Sequence, residues 1–298
     1  MTFMIKIVPY HEKYASKCRD LDREAFSEMM WHGDVIPDTL FVAVEAEVYG
    51  FGYLLGSHSY AARETHPESP AFFVHPVVKT DNRTAKGLDA ADMLLPKLLT
   101  ACADLSYFDP KYPATARIYC DVAEKYAGEY YEEMGFRETD RMLVMEKDLT
   151  HIFEESKESP LPDVLIRDTK LRDKTEMDRY LAGTEEAFGI PDSREEMVYR
   201  LNFGRGTVYT ADDVSFVTTW PMGNGVAATE NIFTLKLYRR QGTCEKLLRE
   251  VFEILESEGF KKARLTVYEG NREAIALYEK LGYKTVRTLR EMTVKPEC

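Results

Sequence analysis

The sequence has few of the features that would mark a disulfide-rich, metal-dependent or membrane protein. Its five cysteines are odd in number and scattered, with no CxxC pair and no Cys/His ligand spacing. This argues against a disulfide framework and a zinc site. The six histidines show no HxxxH spacing. No run approaches the roughly 18 to 20 apolar residues of a membrane span, and MTFMIKIVPYHEKY lacks a signal-peptide pattern. We therefore expect a cytoplasmic protein with neither a metal nor a membrane partner.

Positive charge is also scarce. Lysine and arginine number 39 against 51 acidic residues, so the net charge is −12. Such a surface repels phosphate backbones, which excludes nucleic acid as an expected partner. The oligomeric state is left open. A chain of 298 residues with 44% hydrophobic content exceeds a usual single domain, so two domains of roughly 150 residues are expected.

The two halves share a short signature. Residues 124–136 read EKYAGEYYEEMGF, and residues 271–283 read NREAIALYEKLGY. In both copies an alanine precedes a tyrosine by four positions, and a glycine with a following aromatic residue comes four positions later. The corresponding residues are 147 apart: Ala127 and Ala274, Tyr131 and Tyr278, Gly135 and Gly282. A repeat of this kind predicts a duplicated fold.

The order of predicted elements also repeats. Each half runs strand, helix, several strands, long helix, strand, short helix and strands, which indicates a mixed-sheet α+β class. Strands are predicted in MIKIV, TLFVAVEAE, VYGFGYLLG, PAFFVHPVV, ARIYCDVAE, RMLVMEKDL, VLIRD, ATENIFTLKL and KARLTVYEG, followed by a last strand pair. The stretch VYTADDVSFVTTW is predicted to be a hairpin that turns at Asp212 and Asp213. Helices are predicted near 14–26, in LDAADMLLPKLLTACADL, at 175–188 and 195–203, in RRQGTCEKLLREVFEILESEGF, and at 273–281. In the second long helix an apolar stripe at helical spacing is formed by Leu247, Leu248, Val251, Phe252, Ile254 and Leu255.

A linker is predicted between the halves. The stretch HIFEESKESPLPD is acidic and contains two prolines, a composition typical of linkers. The expected domains are 1–150 and 164–298, with 151–163 between them.

The first candidate site lies where YRRQGTCEKLL opens the second long helix. A strand–turn–helix with glycine in the turn exposes backbone N–H groups at the positive end of the helix, and such a place can hold a pyrophosphate. Gly242 would let the backbone approach closely, while Arg239 and Arg240 add positive charge. The same pattern fits any helix preceded by basic residues and a glycine.

The second candidate is the short helix with the repeated signature. Ala274, Leu277 and Leu281 form a core stripe, and Gly282 suits the C′ position after the helix. Asn271 fits an ordinary N-cap. Tyr278 fits an amphipathic residue at the edge of the core. Each motif alone therefore has a purely structural explanation.

Together, the two motifs resemble the GCN5-related N-acetyltransferase (GNAT) superfamily. Its phosphate loop, Q/R-x-x-G-x-G/A, is matched by Arg239, Arg240, Gln241, Gly242, Thr243 and Cys244, with cysteine as a departure at the last position. Its second signature, N-x-x-A-x-x-L-Y-x-x-x-G-F, is matched by Asn271, Ala274, Leu277, Tyr278, Gly282 and Tyr283. The resemblance covers nearly the whole second half. Two fused copies are similar in architecture to mycothiol-synthase-like tandem acetyltransferases.

The resemblance implies acetyl transfer from acetyl-CoA, as co-substrate, to a small-molecule or peptide amine. It implies that residues 239–244 and Asn271 hold the CoA. It also implies that the backbone around Phe233, Thr234 and Leu235 stabilises oxyanion charge, and that Tyr278 is the acid for the departing thiolate. The alternative from another class is a non-catalytic acyl-CoA-binding sensor or partner-recruiting module, and a scaffold with two inactive sites is a third possibility.

Glu230 is the candidate general base. It loosely matches a place where many members hold a glutamate, although a solvated or cross-strand-paired carboxylate explains it equally well. Strand alternation would put Thr229, Asn231 and Phe233 on one face and Glu230 on the other.

The first copy departs from the family pattern. Its loop register, Thr84-x-x-Gly87-x-Asp89, ends in aspartate, which would repel a pyrophosphate. Glu124 stands where Asn271 stands in the second copy. We therefore predict a degenerate first domain and one working site.

Overall fold

The structure is a computed structural model that describes residues 4–31, 35–36, 38–56, 72–108, 114–150, 162–189, 194–202 and 206–296. The described strands are β1 (Lys6–Pro9), β2 (Phe41–Val44), β3 (Val48–Gly56), β4 (Phe72–Thr80), β5 (Ala114–Asp121), β6 (Arg137–Asp148), β7 (Ile166–Thr169), β8 (Thr207–Ala211), β9 (Ser215–Gly223), β10 (Val226–Thr234), β11 (Lys262–Tyr268) and β12 (Lys284–Val294). The described α-helices are α1 (Ala15–Leu21), α2 (Arg23–Trp31), α3 (Ala85–Phe108), α4 (Lys125–Glu133), α5 (Lys174–Phe188), α6 (Arg194–Asn202), α7 (Thr243–Ser257) and α8 (Arg272–Lys280).

The chain forms two compact units. The first comprises residues 1–120, 124–139 and 291–298, and the second comprises residues 121–123 and 140–290. The end of the chain therefore belongs to the first unit, and most of β6 belongs to the second. The predicted linker at 151–163 lies mostly outside the described residues, and the domain limits at 150 and 164 stay a prediction.

The first unit is built on a mixed set of strands. Strands β1 to β4 pair antiparallel in sequence order, and β5 then pairs parallel with β4. Residues of α3 and α4 pack in one apolar cluster that includes Leu94, Leu98 and Phe136. Residues of α1 and α2 pack in another that includes Phe26 and Phe51. Two separate clusters give this unit apolar cores built from different helices.

The second unit repeats this arrangement. Strands β7 to β10 pair antiparallel, β11 pairs parallel with β10, and β6 pairs antiparallel with β11. The predicted hairpin is confirmed, because β8 and β9 pair antiparallel up to Ala211 and Ser215. The Val214 N–H bonds to the Ala211 carbonyl across Asp212 and Asp213, whose φ values of 51° and 56° suit the two central residues of a type I′ turn. The predicted mixed-sheet α+β class is likewise confirmed.

Helix α7 shows why the second unit folds around its apolar stripe. Five of its predicted stripe residues are buried, namely Leu247, Leu248, Val251, Phe252 and Leu255, and Ile254 packs against the same cluster. A helix with apolar residues at this spacing buries one face against a sheet.

Two local predictions were wrong. Residues 284–294 form one continuous strand, not a strand pair. Strand β10 ends at Thr234 and not within LKL, because residues Lys236–Tyr238 form a 3-10 turn. That turn carries the chain away from the sheet and toward the start of α7.

Candidate active site

A cleft of about 860 Å³ in the second unit brings the two sequence motifs together. Its volume lies within the range of small-molecule sites. It is lined by Ala187, Phe188, Ile232, Phe233, Thr234, residues 238–245, residues 271–274, Ala276, Leu277, Tyr278 and Lys280. Ten of the twelve predicted site residues are in this lining; Leu235 and Glu230 are not. The motifs therefore meet at one surface although they are about 30 positions apart in sequence.

The cleft lies where two parallel strands separate. The ladder between β10 and β11 ends at the pair Ala228–Arg264, although β10 continues to Thr234 and β11 to Tyr268. The next residue, Thr229, donates from its hydroxyl to the Arg264 carbonyl at 3.2 Å. That hydroxyl has one proton, so Tyr283 is the donor in the 2.8 Å bond between the two hydroxyls. Two consecutive side-chain hydrogen bonds, from Tyr283 to Thr229 and from Thr229 to the Arg264 carbonyl, thus mark the end of the backbone ladder.

A bulge follows directly in β10. The register with β9 shifts between Glu230 and Phe233, and Asn231 has a positive φ of 47°. The bulge turns Asn231 so that its amide donates to the Tyr180 hydroxyl at 3.1 Å, whereas Thr229 bonds to Tyr283 in the other core cluster. The expectation that Thr229, Asn231 and Phe233 share one face is therefore wrong, because a bulge breaks strand alternation.

The glycine loop, residues 239–242, presents the open end of α7. Gly242 is the N-cap of α7 and has φ of 80°. Because glycine has no side chain, no side-chain hydrogen bond caps this helix end. The first helical bond to it runs from Lys246 N–H to the Gly242 carbonyl. The N–H groups of the first turn lie ahead of that bond and have no intrahelical acceptor. Arg239 fixes the loop by donating from Nε to the Thr234 carbonyl at 2.8 Å.

Charges around this helix end are arranged in pairs. Arg240 forms an exposed ion pair with Glu273 at the start of α8. Glu245 is buried in the first turn of α7 and is bound by Arg249 and Lys280. Burial by itself raises the pKa of the Glu245 carboxyl, but its bonds to Lys280 and Arg249 outweigh burial and lower the pKa overall. The two cations thus offset the only buried carboxylate among the described residues of the cleft wall.

Tyr278 and Cys244 lie near each other in the lining of the cleft. Only 7% of Tyr278 is exposed, and burial, assisted by the nearby Cys244, raises its pKa well above the ordinary value. Burial also raises the pKa of the Cys244 thiol to about 11. Both groups therefore carry their protons at neutral pH. Cys244, the departure from the family loop pattern, is a neutral small residue in this place.

The repeated signature is in part a device for ending a helix. In the second copy Tyr283 N–H bonds to the Tyr278 carbonyl and Gly282 N–H bonds to the Glu279 carbonyl. In the first copy residues 136 and 135 make the same two bonds to residues 131 and 132. Both glycines have φ near 90°, as this C-terminal motif requires. Asn271 is the predicted N-cap, since its side chain accepts from the Ala274 N–H at 3.2 Å.

The equivalent loop of the first unit is closed by its own side chains. The Thr84 hydroxyl accepts from the Gly87 N–H at 3.0 Å and donates to the Asp81 carbonyl at 3.0 Å. The Asp81 carboxylate accepts from the Arg83 side chain at 2.8 Å. A Cβ at Gly87 would overlap the Asp81 carbonyl, so the glycine there serves tight folding. The Thr84 side chain thus caps the start of α3, whereas no side chain caps the start of α7 at Gly242.

Some lining residues were missed by sequence reasoning. Ala187 and Phe188 at the end of α5 carry no motif, and their position follows only from tertiary packing. The sequence gives one weak signal for this packing, a glycine inside the predicted helix. At that position, Gly183, a Cβ would overlap the Phe233 ring.

Several solved structures share this fold over nearly the whole chain. A GCN5-related N-acetyltransferase from Sphaerobacter thermophilus has a TM-score of 0.66 at 16% identity, covering 99% of this chain and 96% of that one. A tandem GNAT protein from the clavulanic acid biosynthesis pathway has a TM-score of 0.65 at 13% identity, covering 99% of both chains. A GCN5-related N-acetyltransferase from Kribbella flavida has a TM-score of 0.60 at 11% identity, covering 98% of this chain and 71% of that one. The fold is that of the tandem GNAT proteins.

Sequence comparison supports the same class for the second half. Residues 177–283 match the acetyltransferase (GNAT) family. The second half of the chain is therefore similar in sequence to this family, and the whole chain is similar in fold to tandem GNAT proteins. No curated protein sequence gives a significant match.

Neither a membrane-spanning helix nor a metal-binding cluster is present among the described residues. No helix among them is long and apolar enough to cross a membrane. They also hold no cluster of three or more His, Cys, Asp or Glu side chains that could bind a metal ion.

Proposed function

We propose that the protein is an N-acetyltransferase that moves an acetyl group from acetyl-CoA to a primary amine. The observation that carries this proposal is the convergence of the uncapped N-terminus of α7 and Tyr278 on one cleft between separating strands. Acetyl-CoA, when bound, supplies a thioester that an amine can attack directly.

The glycine loop is suited to the diphosphate of the co-substrate. The N–H groups of the first turn of α7, after Gly242, point out of the helix end and carry its positive partial charge. Thr243, Cys244 and Gln241 complete the turn. Arg240 lines the same wall but is paired with Glu273, so backbone amides contribute more of the anion binding than this guanidinium does.

The backbone of β10 beyond the last ladder pair is suited to stabilising oxyanion charge. Residues 232–234 line the cleft past the point where pairing with β11 ends. Leu235 does not line it, and its N–H bonds to the Val214 carbonyl at 2.8 Å. A donor for the thioester carbonyl is therefore better placed at Ile232 or Phe233 than at Leu235.

Tyr278 is suited to donating a proton to the departing thiolate. Its raised pKa keeps the hydroxyl protonated, while a thiol has an ordinary pKa near 8.5. Proton transfer to the sulfur is thus uphill in pKa, and the main contribution of Tyr278 is a hydrogen bond that strengthens as negative charge grows on sulfur.

Glu230 remains our proposed base for the incoming amine. It lies on β10 one residue after Thr229 and does not line the cleft. As a base it would therefore take the proton through water. Acceptors in scope are small-molecule amines, amino acids, polyamines, antibiotics and protein N-termini, because loops that set the acceptor vary freely on one scaffold.

The direct test measures thiol release from acetyl-CoA with a panel of amines, comparing wild type with Tyr278→Phe. We expect turnover to fall by about 10² to 10⁴ with unchanged acetyl-CoA affinity. Tyr131→Phe is the matched control, because Tyr131 occupies the same place in the first-unit copy, and it should leave turnover unchanged. Tight acetyl-CoA binding without turnover on any amine would instead favour the non-catalytic acyl-CoA-binding module.

A further inference from the structure

The first unit has a cleft of its own where its parallel strands separate. The ladder between β4 and β5 ends at the pair Val74–Ala116, although β4 continues to Thr80 and β5 to Asp121. A cleft of about 400 Å³ opens there. It is lined by residues 75–78, Thr80, Ala91, Leu95, residues 117–119, Tyr130 and Tyr131. We call it the first-unit cleft.

This cleft does not extend to a phosphate-binding loop. Among the described residues its lining stops at Thr80 and includes none of residues 81–87. The turn that follows is occupied by the bonds of the Thr84 hydroxyl to residues 81 and 87. A ligand of this cleft therefore needs no diphosphate and is smaller than the one proposed for the second unit.

A single arginine distinguishes the wall of this cleft. Arg117 is the first residue of β5 after the last ladder pair. Its counterpart in the second unit, 147 positions later, is Arg264, whose carbonyl likewise accepts a side-chain bond at the end of the ladder. Arg264 does not line the second-unit cleft, and its Nε and one terminal nitrogen both donate to the Glu146 carboxylate, whereas Arg117 lines the first-unit cleft. Burying part of a guanidinium costs free energy unless partners compensate it.

The partners of Arg117 hold it but do not use all its donors. Its guanidinium lies over the Phe73 ring, 4.1 Å from the centroid, and one terminal nitrogen lies 3.6 Å from a Glu291 carboxylate oxygen. Glu291 is 6% exposed, is not part of the lining, and accepts from the Thr139 hydroxyl at 3.2 Å. Glu291 therefore holds the Arg117 guanidinium without lining the cleft itself. The Arg117 Nε–H is buried and has no hydrogen-bond partner among the described residues.

The rest of the wall combines aromatic rings with hydroxyl donors. His75 and Tyr119 are stacked with ring centroids 5.9 Å apart, and His75 Nδ1 donates to the Arg117 carbonyl at 3.0 Å. Burial raises the pKa of Tyr130 and Tyr131 above the ordinary value, so both hydroxyls keep their protons. The described residues of the lining include no Asp or Glu.

We propose that the first-unit cleft binds a small organic carboxylate with an apolar or aromatic body, which pairs with Arg117. A planar guanidinium held against a ring matches a carboxylate in shape and charge. The apolar side chains of Val77, Val78, Leu95 and Ile118 line the remainder and suit the body of the ligand. The first unit then carries a second ligand site and is more than a degenerate copy of the acetyl-CoA domain.

The test uses isothermal titration of the full chain with benzoate and with benzamide, its neutral isostere. We expect saturable benzoate binding, with benzamide weaker by about tenfold or more. A variant that removes the cation and its buried partner together, Arg117→Met with Glu291→Gln, should weaken benzoate to the level of benzamide. Arg117→Lys keeps the positive charge but loses the planar guanidinium that binds a carboxylate through two N–H groups, so its benzoate affinity should be intermediate.

Competition locates the site. Benzoate affinity should be unchanged when coenzyme A saturates the second-unit cleft. Displacement of benzoate by coenzyme A, equal binding of benzamide, an unchanged affinity in the Arg117 variants, or no benzoate binding at millimolar concentration would each overturn the proposal. The benzamide and competition arms use the wild-type chain, so they decide the question even where a variant fails to fold.

Discussion

The hydroxyl of Tyr283 donates to the hydroxyl of Thr229 across 2.8 Å, at the residue where β10 leaves β11. The Thr229 hydroxyl in turn donates a hydrogen bond to the Arg264 carbonyl. The bond pins the last paired part of the sheet to the end of α8, because Tyr283 directly follows the helix-ending Gly282. In the first unit, the residue in the same register is His75, which bonds to the Arg117 carbonyl. Both units therefore close the ladder with a side chain where their clefts begin.

This bond predicts an asymmetry between two conservative variants. Thr229→Val leaves the fully buried Tyr283 hydroxyl without its acceptor, whereas Tyr283→Phe leaves Thr229 still bonded to the Arg264 carbonyl. A buried polar group left unpaired costs about 1–3 kcal/mol, against about 0.5–1.5 kcal/mol for a lost bond. Urea unfolding should therefore show a larger loss for Thr229→Val.

The double variant gives the control. With both hydroxyls removed, no unpaired tyrosine remains, so its loss of stability should be smaller than the two single losses added together. Thr229→Ser keeps the hydroxyl and should stay near wild type. Equal and additive losses would show that the two hydroxyls do not interact in the folded protein.

Alkaline pH should destabilise the protein. Burial raises the pKa of Tyr278 and Tyr283 above the ordinary value near 10, so the folded chain keeps these protons at a pH where the unfolded chain has lost them. The stability linked to these groups is present below about pH 10 and is lost as pH rises toward the folded pKa values. The buried thiols of Cys18 and Cys102, with pKa values raised to about 11 and about 12, start the same decline near pH 9.

Tyr283→Phe supplies the comparison for this pH effect. It removes one of the titrating groups, so its stability should fall less steeply than that of wild type between about pH 10 and 12. Urea midpoints measured across that range give the slopes. A wild-type stability that rises with pH there would contradict the assignment of buried, protonated tyrosines.

Much of the fold follows from sequence because its signals are local. The stripe of α7, the aspartate hairpin turn and the glycine after α8 each depend on a few neighbouring residues, and all three are found where they were predicted. The face assignment of Asn231 failed because a bulge is set by contacts with Tyr180 on a distant helix. The same reason explains why Ala187 and Phe188 were missed.

The candidate site shows a similar division. Arg239 to Cys244 and Tyr278 could be proposed from spacing, since a glycine loop and a helix signature are compact in sequence. Whether the first loop is open could not be read, because it depends on which atom the Thr84 hydroxyl bonds. The pairing of Arg117 with Glu291 could not be predicted either, because these residues are 174 positions apart and in different halves of the sequence.

Acetyl-CoA binding at the glycine loop is tested most directly by two glycine variants of matched backbone strain. Gly242 and Gly259 both have left-handed φ, 80° and 89°, and a Cβ at Gly259 would meet nothing within 4 Å. Alanine at either position should therefore cost about 1–2 kcal/mol of stability. Calorimetric titration with acetyl-CoA should show one site per chain, with affinity at least about tenfold weaker in Gly242→Ala and unchanged in Gly259→Ala. Equal affinity in both variants would place acetyl-CoA elsewhere and contradict the proposed site.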